Sequence, residues 1–416
     1  MLDVLINDIL GTPAILVGLF VLVGSVLLGS PIAEIITATF NTIIGFIMLN
    51  LGAGIAADTL DNFSAMFVEA FGIQAAVMST DAMGALLLEE YPSATVIFVL
   101  AMVFNLLIAR FTRFKYIYLA SHLVMYLSAM FAMIFEGLPY WPATIMAAIL
   151  IAIYMAVSPA LIQPFTRKIT GTDEFAVANA GSSSFLIGAL MGKLVGDPSQ
   201  STEDMNVPQS LSFLKTPAIS ISLTMSILFI VLAVLSGQTF VESQLSGGTN
   251  YIFFAFMQAI YFAAGIEILI TGVNMALKEI VPAFKGIANR LIPNAVPSLD
   301  SPVMLPYGSN SLILGFLVSL AVGMLGIFVL PMVGLPIIIP GMQQYFFLGG
   351  ITAMYGNATG GYKGAIAGAF VVGLVMVFMP AIYMVYVGDP TDNIVFGDSD
   401  FLFIGVFFKW FVGLFR

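Results

Sequence analysis

The 416-residue chain has no cysteine, one histidine and few charges. Without cysteine there are no disulfides, no thiolate metal sites and no phosphocysteine. A single histidine, His122, leaves no multi-histidine metal site, and neither a metal nor another cofactor is expected. Charged residues make up 9% of the chain, against about 25% in a soluble domain. That is too few to cover a water-facing surface, so lipid is the solvent for most of this protein. The start, Met1-Leu2-Asp3, lacks the basic region of a cleavable signal peptide. The first apolar stretch, Pro13–Leu28, therefore reads as a retained span.

Apolar residues form 60% of the sequence and fall into long runs. A spanning helix needs about 20 such residues. Backbone groups in hydrocarbon must be satisfied internally, which leaves helices or a closed barrel. Runs such as Thr216–Leu235 do not alternate, so helices are expected. The reading is an all-α polytopic membrane protein with about ten to eleven transmembrane helices.

The 13 lysines and arginines cluster at Arg110, Arg113 and Lys115, at Arg167 and Lys168, and at Lys278, Lys285 and Arg290. Two apolar runs, Tyr116–Ile134 and Ala143–Ile162, separate the first two clusters, with acidic Glu136 between them. The positive-inside rule puts the clusters in the cytoplasm and Glu136 outside. Continued in both directions, it places the N-terminus outside, the acidic stretch Asp389–Asp400 outside, and the C-terminus inside at Arg416. The polar segment Gly196–Pro208 reads as a loop dividing the chain into halves, 1–208 and 209–416.

The halves resemble each other. At an offset of 220, Gly45 falls on Gly265, Leu49 on Leu269, Gly52 on Gly272 and Ala75 on Ala295. The charges that follow are opposite: Asp58, Asp61 and Glu69 in the first copy, Lys278, Lys285 and Arg290 in the second. Two copies inserted in opposite directions need that inversion, and inverted repeats with broken helices bind substrate where the copies meet. Each copy ends in an interrupted stretch, Gln74–Asp81 and Pro293–Pro302. The second holds three prolines, which break any helix. Both are expected to be re-entrant hairpins with polar tips facing one site, and the offset sets Thr80 against Asp300.

Asp300, at a proline-flanked tip, is a candidate for hydrogen-bonding substrate or carrying a proton, since a carboxylate at membrane depth is costly. Capping a broken helix is the plainer role. Glu267, inside an apolar run, is either a coupling group or a residue paired with a neighbouring helix or set near the interface. His122 fits a ligand bond, a proton relay or a bond between helices, and residue type does not choose among them. In Asn179–Ser184 the serines suit helix packing, while Asn179 is a ligand candidate. Gly356–Gly361 lacks the features of a phosphate loop and reads as a helix break.

At these residues the chain resembles a known family. Ala38–Phe46 followed by Leu51–Ile55, and Ile287–Val296 ending in Asp300, are similar to the first-repeat helix and second hairpin of the EIIC membrane component of the L-ascorbate-type phosphotransferase system, in the ascorbate–galactitol superfamily. The similarity spans most of the chain, including Ser201–Pro208. It implies a homodimer whose core domains move in an elevator-like manner in the cell inner (cytoplasmic) membrane. It also implies a sugar acid or polyol substrate and phosphorylation by a separate EIIB chain, with no catalytic residue on this one. The family's substrate-contacting Thr, His and Asp match Thr80, His122 and Asp300, and the neighbouring Asp81 and Ser301 join the expected site. Two positions depart from the family. Its Gly-His-Gln-Gln run is Ala178-Asn179-Ala180-Gly181 here, and a Gln one turn after the matched His is Tyr126. Both changes remove donors and acceptors from the expected site, which is taken to include Tyr126 and Asn179. A carrier of the same fold driven by H⁺ or Na⁺, with Glu267 or Asp300 as the coupling group, is the alternative. A receptor or sensor has no signalling domain to support it.

Overall fold

A computed structural model describes residues 12–72, 76–204, 217–388 and 394–414. The expectations for Met1–Asp3, Gln74, Ala75, Arg416 and the end of the Gly196–Pro208 loop lie outside the described residues. The first half runs α1 (Pro13–Leu28), α2 (Ile32–Phe71), β1 (Ala76–Met78), α3 (Thr80–Glu90), α4 (Ser93–Phe111), β2 (Tyr116–Tyr118), α5 (Ser121–Ile134), α6 (Tyr140–Thr170), β3 (Ala176–Val177) and α7 (Ser182–Val195). The second begins with α8 (Pro217–Ser236), a short bent piece α9 (Gln238–Phe240) and α10 (Tyr251–Arg290). After β4 (Val296–Leu299) and a 3-10 turn (Ser301–Tyr307) come α11 (Ser309–Met332), β5 (Ile338–Ile339) and α12 (Met342–Gln344). The chain ends with α13 (Gly350–Val387), β6 (Ile394–Val395) and α14 (Ser399–Gly413).

Among the described residues, six helices are long and apolar enough to cross a membrane, or seven if the bent α8–α9 pair counts as one span. This is fewer than the ten to eleven read from the runs. The difference arises where an apolar run is not one helix. Tyr116–Ile134 splits into β2 and the 14-residue α5, and at about 1.5 Å per residue such a helix covers only about 21 Å. The 14-residue α7 and 15-residue α14 are short for the same reason: each starts partway through the molecule, after a strand.

Two packing groups cut across the sequence halves. One contains α1, α2, α8 and α10, and the other contains α3 to α7 and α11 to α14. At the centre of the first, α2 and α10, 40 residues each, cross with their backbones nearly in contact. Gly45 meets Gly272 and Gly52 meets Gly265. A methyl group at Gly45 would lie 2.8 Å from the Gly272 carbonyl oxygen, and one at Gly52 would collide with Gly265 and Leu269. Small residues allow such close approach where lipid offers no hydrophobic gain for helix association. Two polar links add to the seam: Asn41 donates to Glu279 at 3.0 Å and Asn62 to Gln258 at 3.1 Å.

The six strands form two parallel three-stranded sheets. In one, β1 lies between β5 and β6, and in the other, β4 lies between β2 and β3. In each, the central strand comes from one half and both flanking strands from the other. The long helix α13 breaks at Gly360 and Gly361, whose backbone angles leave the helical region, as expected for Gly356–Gly361. The described part of the Gly196–Pro208 loop is not a free divider. Glu203 accepts the backbone N–H groups of Asn310 and Ser311 at the start of α11, and Thr202 N–H donates to Asn357.

The basic clusters converge. The Lys115 carbonyl accepts from Val296 N–H after α10, Lys285 pairs with Glu174 at 3.1 Å, and Arg167 pairs with Asp173 at 2.8 Å, holding that carboxyl below its usual range. Acidic Glu136 meets Tyr91 in the turn after α3.

Gly52→Ala is expected to destabilise the α2–α10 seam by about 1–3 kcal/mol, the usual cost of overpacking. Gly54, which has open space around it, is the control: Gly54→Ala should keep or slightly raise the unfolding temperature in detergent, since a helical glycine costs about 1 kcal/mol relative to alanine.

Candidate functional site

A chain that leaves a helix inside the molecule must find new partners for its backbone. Here the strands supply them. Ser79 N–H donates to the Val395 carbonyl, Leu119 N–H to Ser298, and Ala178 N–H to Leu299. After its strand each chain segment starts a new helix, and those starts surround a cavity of about 220 Å³. Thr80 and Asp81 come from the first turn of α3, and His122 from the first turn of α5. Asn179 precedes α7, Asp300 and Ser301 begin the 3-10 turn after β4, and Asp398 precedes α14. Gln343 and Gln344 belong to α12, and α2 closes the cavity with Leu49, Asn50 and Ala53.

Asp300 links three parts of the wall. Its Oδ1 accepts from Asn179 Nδ2 at 2.8 Å and from the Ser301 backbone at 2.6 Å, so it caps the turn it begins. Its Oδ2 lies 3.5 Å from His122 Nε2. Asn179 is engaged in turn: its Oδ1 accepts Gly181 N–H at 2.7 Å, and its backbone carbonyl accepts from Tyr154 and Ser182. On the opposite wall Thr80 Oγ1 accepts the N–H groups of Gly397 and Asp398, at 3.0 and 3.2 Å. Thr80 therefore ties α3 to the start of α14, across 317 residues of sequence.

The cavity brings together six of the residues expected from sequence: Thr80, Asp81, His122, Asn179, Asp300 and Ser301. Tyr126 stands behind the wall, with its ring against Gly84 and 6.2 Å from that of His122, and its hydroxyl is directed at Asp81. Glu267 does not join them: it is exposed on the outer face of α10. At the two breaks the cap positions are Ser79 and Asp300, so Thr80 matches Ser301 as first helical residue, one step from the pairing with Asp300.

Sequence reasoning missed Asp398, Gln343 and Gln344 in the wall and Asp400 behind it. The charge rule places the stretch Asp389–Asp400 outside and gives it no part in the site. Its first five residues lie outside the described set, but Asp400 is 5% exposed, and Asp398 lines the cavity. Asp400 accepts from Ser182 N–H at 3.0 Å, Ser183 N–H at 2.9 Å and Tyr154 hydroxyl at 2.7 Å. A carboxylate on two N–H groups at a helix start is the arrangement the helix dipole favours. Asp400 thus caps α7 from another element and fixes the loop that carries Asn179. The available signal was Asp398-Ser399-Asp400 directly before an apolar run, the pattern of a helix start.

The family model of the PTS system sugar-specific permease component, EIIC-GAT, matches residues 8–400. The chain belongs to this family. A curated relative is the ascorbate-specific PTS system EIIC component of Mycoplasma pneumoniae (strain ATCC 29342 / M129 / Subtype 1), 23% identical over 445 aligned positions that take in 90% of this chain. The chain spans 65% of that relative's length. The EIIC-GAT match covers both central strands, every wall residue named above, and Asp400.

Asp400→Ala strips a partner from three donors, one buried and two half-buried. Bonds to a charged group are worth about 1.5–3 kcal/mol each, so the variant should unfold at least several degrees below the parent protein. Asp400→Asn, which keeps one acceptor oxygen, should fall between the two in a thermal unfolding series.

Proposed function

We propose that this multi-pass membrane protein is the substrate-translocating EIIC component of a phosphotransferase system. It carries a sugar acid, L-ascorbate or a related compound, or a polyol, and a separate EIIB chain phosphorylates the arriving substrate. The observation that carries this reading is the cavity itself: a polar site walled by helix starts from both halves of the chain. The shared strands support reading 1–208 and 209–416 as inverted repeats, each with a re-entrant hairpin, since each half supplies one central strand and two flanking strands to the other.

The two packing groups support a reading of alternating access. The glycine seam of α2 and α10 makes the first group a stiff scaffold, and the second group holds nearly all of the site. In this reading the second group slides as a body past the scaffold, elevator-like, carrying the cavity from one face to the other. The scaffold has exposed apolar residues along α1, α2 and α10, among them Val26, Phe40, Ile44, Phe253 and Tyr261, and it is the natural seat of a homodimer contact. The converging basic clusters support a cytoplasmic assignment for that end, hence an outside N-terminus and a cytoplasmic C-terminus in the inner membrane. With Glu267 outside the cavity, the ion-coupled alternative rests on Asp300 alone.

The chain binds and reorients, and the phosphoryl chemistry belongs to EIIB. Asp300→Asn keeps the shape of the side chain and removes its charge. It should abolish substrate binding, and phosphorylation-coupled uptake by proteoliposomes containing EIIB, while the oligomer elutes unchanged. Unaltered affinity in the purified variant would remove Asp300 from the site.

A further inference from the structure

The seam of α2 and α10 repeats itself when the two helices are exchanged. A methyl group at Gly45 would lie 2.8 Å from the Gly272 carbonyl oxygen and 2.9 Å from the Ala276 nitrogen. One at Gly265 would lie 2.8 Å from the Gly52 carbonyl oxygen and 3.0 Å from the Ala56 nitrogen. These are the same contacts with the helices swapped, since Gly265 matches Gly45 and Ala276 matches Ala56 at the offset of 220. Gly52 against Leu269 and Gly272 against Leu49 form a second such pair. The correspondence fits the inverted-repeat reading and matches the two helices residue by residue.

What surrounds the seam does not repeat. The cavity takes Leu49, Asn50 and Ala53 from α2, and none of their matches on α10, Leu269, Ile270 and Val273. The helix after β5, α12, packs against α2, while the helix after β2, α5, has no comparable packing against α10 among the described residues. Conversely β4 and the 3-10 turn pack against α10, with no comparable packing of β1 or α3 against α2. Matched repeats around such a seam have a second arrangement, in which each takes the other's place. There the start of α5 lies on α10, β1 and α3 lie on α2, and Leu269, Ile270 and Val273 wall the cavity. The exchange is not chemically neutral. Leu49 matches a leucine and Ala53 a valine, but Asn50 matches Ile270. Asn50 is exposed and has no hydrogen-bond partner among the described residues. Its amide both donates and accepts, and an isoleucine side chain does neither.

We propose that Asn50 is the polar contact the α2–α10 scaffold offers the substrate, made in the arrangement described here and replaced by Ile270 in the exchanged one. The two arrangements then hold the same substrate with unequal affinity. This rests on the permease reading above. A ligand shifts a conformational equilibrium only by its differential affinity for the two states, so a substrate bonded to Asn50 favours the arrangement that presents it.

The cysteine-free chain allows the exchange to be tested in membranes with two double-cysteine variants and a short bifunctional maleimide. Links are read by peptide mass spectrometry of the monomer band. Asn50→Cys with Gln343→Cys joins two walls of the cavity and should cross-link. Ile270→Cys with His122→Cys joins α10 to the start of α5 and should cross-link as well, in the exchanged arrangement. Formation of the first link alone, at every reagent concentration, would overturn the exchange and leave the permease standing. The contact is tested by binding of L-ascorbate, gluconate, xylitol and sorbitol to the purified full chain. For a compound that the parent chain binds, Asn50→Ala should weaken binding about three- to tenfold, the range for one neutral hydrogen bond, and Ile270→Asn should strengthen it. Parental affinity in Asn50→Ala would remove Asn50 from the contact. A parent chain that binds none of the four compounds, and gives no phosphorylated product with EIIB and a phosphoryl donor, would overturn the permease reading and the Asn50 contact with it.

Discussion

Backbone satisfaction at membrane depth is the constraint on which the rest of this structure depends. A segment that stops being helical in hydrocarbon exposes N–H and carbonyl groups at a cost of several kcal/mol each. Among the described residues six short strands interrupt the helices, and they pair with one another in two sheets. The strand at the first break, β1, is held by β5 and β6, and the strand at the second, β4, by β2 and β3. Neither break can form without the other half of the chain. Because each strand feeds directly into a new helix, the sheets also gather helix starts around one space. The site is thus a consequence of how the breaks are satisfied, and its side chains are those that begin helices.

The same logic explains the carboxylates. A helix start inside a membrane protein has unpaired N–H groups and a positive end. Asp300 serves the turn after β4, and Asp400 serves α7 from the distant α14. These groups hold the wall together, and Asp300 and Asp398 face the ligand space as well. Asn179 is engaged at its amide oxygen, one amide hydrogen and its carbonyl, so its role is to fix Asp300 Oδ1 and leave Oδ2 toward the cavity. The departures from the family at Asn179 and Tyr126 alter how the acidic groups are held: Asn179 braces Asp300, and Tyr126 stands behind Asp81.

Much of this was legible in the sequence. The scarcity of charge gave the membrane and the prolines around Asp300 marked a break, while the Gly45/Gly52 and Gly265/Gly272 pattern, read as a repeat, is in the structure the seam between α2 and α10. The span count was not legible, because hydropathy does not distinguish a helix that crosses from one that starts halfway after a two- or three-residue strand. Tyr116–Ile134 is such a case. Asp398 and Asp400 lie in a stretch that the charge rule places only on one side of the membrane, and the partners that tie them to the site, Thr80, Ser182 and Ser183, are two hundred or more residues away. The same separation concealed Glu203, which caps α11 from what reads as a dividing loop. Glu267 illustrates the converse, a charge in an apolar run that points away from the cavity.

The account stands on a single cavity that opens in turn to both faces of the membrane. The cysteine-free chain allows this to be tested with one reporter, Gln343→Cys in the cavity wall. The variant would be treated with a membrane-impermeant maleimide in right-side-out and in inverted vesicles. The account predicts labelling from both sides, each slowed by bound substrate. Labelling from one side only, at all reagent concentrations and with or without substrate, would contradict it.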